Sequence, residues 1–201
     1  METNNEEKNK VKAKKHLVKD ISIIATFLAL LIASTFIRIP MPFGDYLTLQ
    51  LEIVILIGFI LGPTRALITT SLYVFMGIIG IPVFAAGGGI SYIFRPSFGY
   101  MYGFIIASFV VGILSTKVKK MNILKSILIA LLGIILIYIC GYIHKYIIYN
   151  FYLENESLPL SEIILSTMAF EVPKDLILGL LCGVISIKLR KIYLKIYNRQ
   201  S

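Results

Sequence analysis

The chain has 201 residues, of which 57% are hydrophobic, and a formal net charge of +9. Its mean hydropathy is +0.83, and its apolar residues form blocks long enough to cross a bilayer. These values exclude a soluble single-core domain and indicate an integral membrane protein. The two cysteines, Cys140 and Cys182, lie inside apolar blocks, which argues against a structural disulfide or a metal site.

The first segment, residues 1–19, is polar and basic and lacks the composition to bury a core. We expect a cytoplasmic tail there and a six-helix membrane domain over residues 20–197. A secretory signal peptide is the alternative interpretation. The apolar run from Ile21 to Ile37 is too long for one and has no clear small-x-small cleavage site.

Six apolar segments follow, and each predicts a helix because only helices or closed barrels satisfy the backbone in hydrocarbon. The alternation typical of barrel strands is absent from the sequence. The second and third segments are short for a span, and a tight turn from Gly62 to Thr64 separates them. The segments are about Asp20–Ile37, Leu51–Leu61, Arg65–Gly80, Phe98–Thr116, Ile123–Tyr146 and Leu160–Ile187.

The basic residues indicate the orientation of these segments. In a six-span arrangement, 16 of the 20 Lys and Arg residues lie on one side. The positive-inside rule therefore predicts cytoplasmic N and C termini. Because topology explains the net charge, the basic balance does not require a nucleic-acid partner.

Two of the outer segments have the composition of ordered extracellular loops. Loop 1, from Arg38 to Glu52, and loop 3, from Ile81 to Ser97, are rich in Pro, Gly and aromatic residues. This composition is typical of loops that fold over another part of a protein rather than of solvated connectors.

Loop 3 and its continuation contain a candidate cation. The guanidinium of Arg95 presents a fork of donors suited to a carboxylate, although a snorkelling or headgroup-binding arginine is the alternative. Tyr92 and Tyr100 flank it, either as ligand contacts or as interfacial aromatic residues. His144 has no evident partner in the sequence, and we expect it at the surface.

The sixth segment contains charged residues at membrane depth. Glu171 and Asp175 lie four positions apart on one helix face, with Lys174 beside them. Charges at this depth are costly and usually line a cavity or a pathway. The alternative is an internal ion pair that fixes helix packing. Pro173 frees a carbonyl one turn earlier and can kink the helix there.

Small residues recur at four-residue spacing, which gives flat stripes that let helices approach closely. We expect internal packing for the stripes at Gly58 and Gly62, at Gly99, Gly103 and Ala107, and at Gly179 and Gly183. The stripe of Ala25, Ala29 and Ala33 on the first helix is compatible equally with internal packing and with a separate membrane subunit.

These motifs together resemble one family. Thr48 to Gln50 (TLQ), the run from Gly80 to Gly89 (GIPVFAAGGG), Pro96 to Tyr100 (PSFGY) and Val172 to Leu176 (VPKDL) occur in the order and spacing of the biotin-specific S components, the BioY family, of energy-coupling factor transporters. The resemblance covers the chain from the first helix onward.

The resemblance implies a six-helix protein that binds biotin under loops 1 and 3. It also implies work with a transmembrane coupling subunit and two cytosolic ATPases. The implied substrate-binding residues are Asp175, Arg95, Lys174, Gln50, Gly88, Gly89, Tyr92 and Tyr100. In this family the first-helix stripe contacts the coupling subunit, which favours a partner interface for Ala25, Ala29 and Ala33.

The chain departs from the family pattern at one position. The family commonly has a lysine three residues after the sixth-helix aspartate, and here that position is Leu178. Lys174 lies about 100° from Asp175 around the helix, which makes Arg95 the more important candidate for the ligand carboxylate.

Three functional hypotheses follow from the sequence. The first is biotin uptake, with neither enzymatic activity nor a cofactor in this chain, because its sequence has no catalytic triad, metal-spaced cluster or nucleotide-binding loop. The second is an S component for a different vitamin or precursor, suggested by Leu178. The third is a membrane scaffold, for which a charge such as Asp175 inside the membrane has no evident use.

Overall fold

The computed structural model describes residues 2–40, 46–152 and 159–199. The described residues form six α-helices, so the prediction of six helical segments is confirmed. Part of loop 1 (41–45) and part of the acidic loop before the last helix (153–158) lie outside the described residues. The helices are α1 (Glu2–Phe36), α2 (Gln50–Leu61), α3 (Pro63–Ile78), α4 (Gly99–Lys117), α5 (Ile123–Ile147) and α6 (Leu160–Arg199).

The outer two helices are longer than their apolar segments. α1 has 35 residues and includes nearly all of the polar segment 1–19, to which the sequence analysis assigned no secondary structure. That segment is rich in Lys and Glu, which are good helix formers. α6 has 40 residues and continues past Ile187 to Arg199 without a break at Pro173. The apolar segments predicted the central part of each of these helices, but not where α1 begins or where α6 ends.

α2 and α3 are short, as the sequence predicted. They have 12 and 16 residues, or about 18 and 24 Å of helix. Only Gly62 lies between them, with a positive φ of 75°, and Pro63 begins α3 with the fixed φ suited to a first helical position. Among the described residues, three helices are long and apolar enough to cross a membrane: His16–Phe36, Pro96–Lys117 and Ile123–Tyr152.

α4 lies at the centre of the bundle and packs against α2, α3 and α5, while α6 packs against α2 and α5. Glycines allow the closest approaches. A Cβ atom on Gly103 would lie 2.7 Å from Cα of Ile137, and one on Gly58 would lie 2.8 Å from the Ser108 carbonyl oxygen. These contacts confirm the prediction that the inner stripes serve internal packing.

One end of the bundle carries loop 3, and we call it the loop-3 end. Here β1 (Ile39–Pro40) pairs antiparallel with β2 (Tyr46–Leu47). Loop 3 is ordered by two 3-10 turns, Ile90–Phe94 and Pro96–Phe98. The guanidinium of Arg38, just after α1, donates to the Ala85 carbonyl, so the end of α1 is tied to loop 3. Because α2 begins at Gln50, loop 1 ends at Leu49 rather than at Glu52.

The opposite end, the Arg65 end, joins three helices through one polar cluster. Nε of Arg65 in α3 lies 3.0 Å from Oδ1 of Asp20 in α1. The same guanidinium donates to the Tyr197 hydroxyl of α6 at 2.7 Å, and that hydroxyl donates to Asp20 at 3.0 Å. Residues that the sequence assigned to one side of the membrane therefore meet at one end of the bundle.

Candidate functional site

A cavity lies at the loop-3 end, between α2, α4, α5 and α6. Its polar lining includes Gln50, Tyr100, Glu171, Lys174 and Asp175, and its apolar lining includes Leu51, Met101, Phe104 and Ile137. The cavity has a volume of about 60 Å³. The side chains that line it must therefore move apart before a vitamin-sized molecule fits.

Asp175 is a buried carboxylate in the wall of this cavity. It is only 6% exposed. The Tyr138 hydroxyl of α5 donates to its Oδ2 at 2.6 Å, and the Lys174 ammonium pairs with its Oδ1. The charged residues of the sixth segment thus line a cavity and also form ion pairs, so the structure shows both arrangements that the sequence left open.

Lys174 connects α6 to α2. Its Nζ lies 3.1 Å from Oε1 of Glu52 and donates to the Thr48 carbonyl at the end of loop 1. Glu52 is 3% exposed. The ammonium therefore lies between two buried carboxylates, which we call the Lys174 cluster: Glu52, Lys174 and Asp175. A spacing of 100° around the helix did not keep Lys174 out of the cavity, because its long side chain reaches around the helix surface.

Glu52 is a site residue that the sequence analysis missed. It had been counted as the last residue of loop 1, but it lies in the first turn of α2. The signal was present, since a lone carboxylate at the start of an otherwise apolar helix usually has a buried partner. Its partner, Lys174, lies more than 120 positions away and is not evident from spacing.

A second buried ion pair lies beside the first. Nζ of Lys145 in α5 is 3.7 Å from Oε1 of Glu171 and 5.1 Å from the centre of the Tyr100 ring. Lys145 is 4% exposed. The sequence analysis predicted no role for Lys145, and only the packing of α5 against α6 shows its pairing with Glu171.

Gln50 lines the cavity, and its amide is fixed by internal hydrogen bonds. The Thr48 hydroxyl donates to its Oε1 at 3.1 Å, and its Nε2 donates to the Tyr73 hydroxyl. That hydroxyl in turn donates to the Val83 carbonyl of loop 3 at 3.0 Å. The chain of contacts fixes the start of α2 relative to loop 3.

Gly88 and Gly89 shape loop 3 and are not among the residues that line the cavity. A Cβ atom on Gly88 would lie 2.4 Å from the Ile81 carbonyl oxygen. Gly89 has a φ of 111°, which favours glycine, and its N–H donates to the Gly77 carbonyl at 2.7 Å. Their place in the structure is to hold loop 3 against the end of α3.

Arg95 is exposed at the rim. Its guanidinium carbon lies 5.4 Å from the centre of the Tyr92 ring, and Tyr92 is buried and lines the cavity. The structure thus brings together Gln50, Tyr92, Tyr100, Lys174 and Asp175, with Arg95 one side chain away from the cavity.

The expectation that His144 lies free at the surface is wrong. Its Nε2 lies 3.0 Å from the Ile93 carbonyl oxygen and 3.2 Å from that of Arg95. His144 is in α5, so these contacts fasten loop 3 to that helix. The backbone carbonyls of a loop carry no sequence signal, which is why the pairing was not predicted.

The three alanines of α1 all lie on the exposed face of the bundle. The opposite face of the helix packs inward, where Leu31 is fully buried. The exposed hydroxyls of Ser22 and Thr26 on α1 donate to carbonyls one turn earlier in the same helix. Ala25, Ala29 and Ala33 therefore form a flat outer surface within this chain.

The sequence matches the model of the BioY family over residues 4–195. A probable biotin transporter BioY of Lysinibacillus sphaericus is 32% identical over 171 residues, covering 85% of this chain and 86% of the relative. The biotin transporter BioY of Rhodobacter capsulatus is 31% identical, covering 84% and 91% respectively.

The fold is similar to a crystal structure of the S-component for biotin from an ECF-type ABC transporter. The TM-score is 0.73 at 27% identity, and the match covers 87% of this chain and 92% of the other. The match to the family model and the match to the crystal structure both cover most of the chain. It belongs to the BioY family.

Proposed function

We propose that this chain is the high-affinity biotin-binding S component of an ECF-type uptake transporter in the cell membrane, rather than an enzyme. The observation that carries the proposal is the buried Asp175 carboxylate in a cavity at the loop-3 end of a BioY-family chain. A charge held at that depth is costly unless a ligand or a partner uses it.

Biotin matches the chemistry of the cavity wall. The carboxylate of Asp175 is suited to accept hydrogen bonds from the ureido N–H groups, which are donors. Tyr92, Tyr100, Met101 and Phe104 line the same cavity and supply the apolar and aromatic surface that the bicyclic ring and chain need. The valerate carboxylate then requires a cation.

Lys174 is the better placed of the two candidate cations. It precedes Leu178 by four positions, which is about 40° around the helix, so both residues share one face of α6. Its ammonium lies in the cavity wall, whereas Arg95 is exposed at the rim. Lys174 therefore takes the role of the family lysine from one turn earlier, and Arg95 attracts the ligand from outside.

The proposed topology has six spans, both termini in the cytoplasm and loops 1 and 3 outside. Asp20, Arg65 and Tyr197 meet at one end of the bundle, which supports this topology. An odd number of membrane crossings between any two of these residues would place them on opposite sides of the membrane. In this topology the short helices α2 and α3 make two successive crossings, joined at Gly62. Residues 1–19 extend from the membrane domain, 20–197, on the cytoplasmic side.

The proposed partners are a transmembrane coupling subunit and two cytosolic ATPases. The exposed alanine face of α1 supports the first of these, because small residues let another membrane helix approach closely. Energy for transport comes from the ATPases. The role of this chain is to bind the vitamin and to present it to the complex.

Equilibrium binding of labelled biotin to the purified protein tests the proposal. We expect saturable binding with a Kd far below the micromolar range. A Kd above that range would contradict biotin as the ligand. Competition with other vitamins would then identify a different ligand, an alternative favoured by the replacement of the family lysine with Leu178 and by the carboxylate of Glu52 beside the cavity.

A further inference from the structure

A second cavity lies at the Arg65 end, far from the biotin site. It lies between the end of α2, the connection between α4 and α5, and the last turns of α6, and it is open to the surface. Its volume is about 400 Å³. Four of the residues that line it are basic, and none is acidic: the basic residues are Lys119, Lys120, Arg190 and Lys191.

The charge of this basic cavity is not balanced by nearby parts of the chain. The sequence has no Asp or Glu between residues 53 and 153, and none after Asp175. Among the described residues, the ion pairs involve Arg65, Lys145 and Lys174, and not the lining cations. Arg190 is half-buried and donates to the Ser115 carbonyl of α4, which holds its guanidinium at the cavity wall.

The remaining wall is mostly apolar. It includes Phe59, Val118, Met121, Ile187 and Leu194. Clustered cations beside an apolar surface, between helices at the end of a membrane bundle, fit an ion that is joined to a hydrocarbon chain. A soluble anion would use the cations and leave the apolar wall without a partner.

We propose that the basic cavity binds the phosphate headgroup of an anionic phospholipid of the cytoplasmic leaflet. The phosphate lies among the four cations, where each oxygen accepts charge-assisted hydrogen bonds. The first carbons of the acyl chains lie along the apolar wall. The positive-inside rule explains basic residues on this side of the membrane, but it does not explain their convergence on one cavity with an apolar wall.

Native mass spectrometry of the purified protein tests this proposal with three probes: dioleoyl phosphatidylglycerol, dioleoyl phosphatidylcholine and inorganic phosphate. The test variant replaces Lys119, Lys120 and Lys191 with Gln. The matched control replaces Lys117, Lys125 and Lys188 with Gln, which removes three charges of the same end outside the cavity. Biotin binding verifies that each variant is folded.

We expect the wild type and the control to bind phosphatidylglycerol and to prefer it over phosphatidylcholine. We expect the cavity variant to bind it at least about tenfold more weakly. Equal loss in both variants would show a diffuse surface effect and overturn the proposal, as would equal retention. Saturable binding of inorganic phosphate as strong as that of the lipid would overturn the lipid assignment in favour of a soluble anion.

Discussion

At the scale of single residues, the charged side chains at and beside the cavity of the loop-3 end include more acidic than basic groups. Three carboxylates, Glu52, Glu171 and Asp175, face two ammonium groups, Lys145 and Lys174. Removing one member of a buried pair usually costs about 3 to 5 kcal/mol because its partner is left unpaired in a poorly solvated place. Substitutions here need a control that separates binding from stability.

Asp175→Asn is expected to weaken biotin binding by about 10-fold to 100-fold. A hydrogen bond to a charged group contributes about 1.5 to 3 kcal/mol, and the amide lacks the charge. Titration with labelled biotin measures the effect. Glu162→Gln is the matched control, since Glu162 is an exposed carboxylate of the same helix. An unchanged Kd for Asp175→Asn in a folded protein would return Asp175 to a purely structural role.

Lys174→Met is expected to abolish the preference of the protein for biotin over biotin methyl ester. The ester has no carboxylate, so the ratio of the two Kd values isolates the contact with the cation from other effects of the substitution. Arg95→Met is expected to reduce this ratio only in part, because Arg95 is exposed and its attraction is screened. If Arg95→Met abolishes the ratio and Lys174→Met preserves it, the two roles are exchanged.

At the scale of helices, small residues allow close packing inside the bundle and form an exposed flat surface on its outside. Gly112 in α4 faces inward, and a Cβ atom there would lie 2.7 Å from Cα of Pro63. The alanines of α1 face outward. Spacing predicted the alanine stripe but did not single out Gly112, and burial decides which small residues serve folding.

Gly112→Val is expected to destabilise the protein by about 1 to 3 kcal/mol or more, because the added side chain overpacks a contact with backbone atoms that cannot rotate away. The temperature of thermal unfolding in detergent measures this loss. Ile106→Phe is the control, since Ile106 is an exposed residue of the same helix. Equal unfolding temperatures for wild type and Gly112→Val would mean that α4 and the turn before α3 are less tightly packed than described.

Ala29→Leu is expected to preserve folding and biotin binding and to prevent co-purification with a coupling subunit. The larger side chain separates the facing helix from α1. Ile135→Phe, an exposed position on α5, is the control that keeps the complex intact. Survival of the complex with Ala29→Leu would place the partner on another face.

The helices were predictable from the sequence because each apolar block is continuous and bounded by charge or by Gly and Pro. The ends of α1 and α6 were not, since polar helix formers such as those before Lys19 leave no apolar boundary. Asp175 and Lys174 were found because charge is rare in apolar segments. Lys145 and His144 were missed, because their partners, Glu171 and the Ile93 carbonyl, meet them only through helix packing.

At the scale of the whole molecule, the cavities at the two ends of the bundle are lined by different sets of charged residues. The loop-3 end encloses paired charges of both signs, whereas the Arg65 end has a cluster of cations with an apolar wall. A ligand at the first site has to compete with contacts that already exist, including the contact of Lys174 with the Thr48 carbonyl. At the second cavity only Arg190 has such a contact, with the Ser115 carbonyl, and among the described residues none of the four lining cations belongs to an ion pair.

α1 is fastened to the bundle at Asp20 and just beyond its end at Phe36, two places separated by about 24 Å of helix. Asp20 is held by Arg65 at one end, and Arg38 holds the carbonyl of Ala85, a residue that lines the cavity of the loop-3 end, at the other. The exposed alanines lie between these anchors. A membrane helix that packs on this face is therefore expected to move α1 together with the cavity and loop 3, rather than to separate α1 from the bundle.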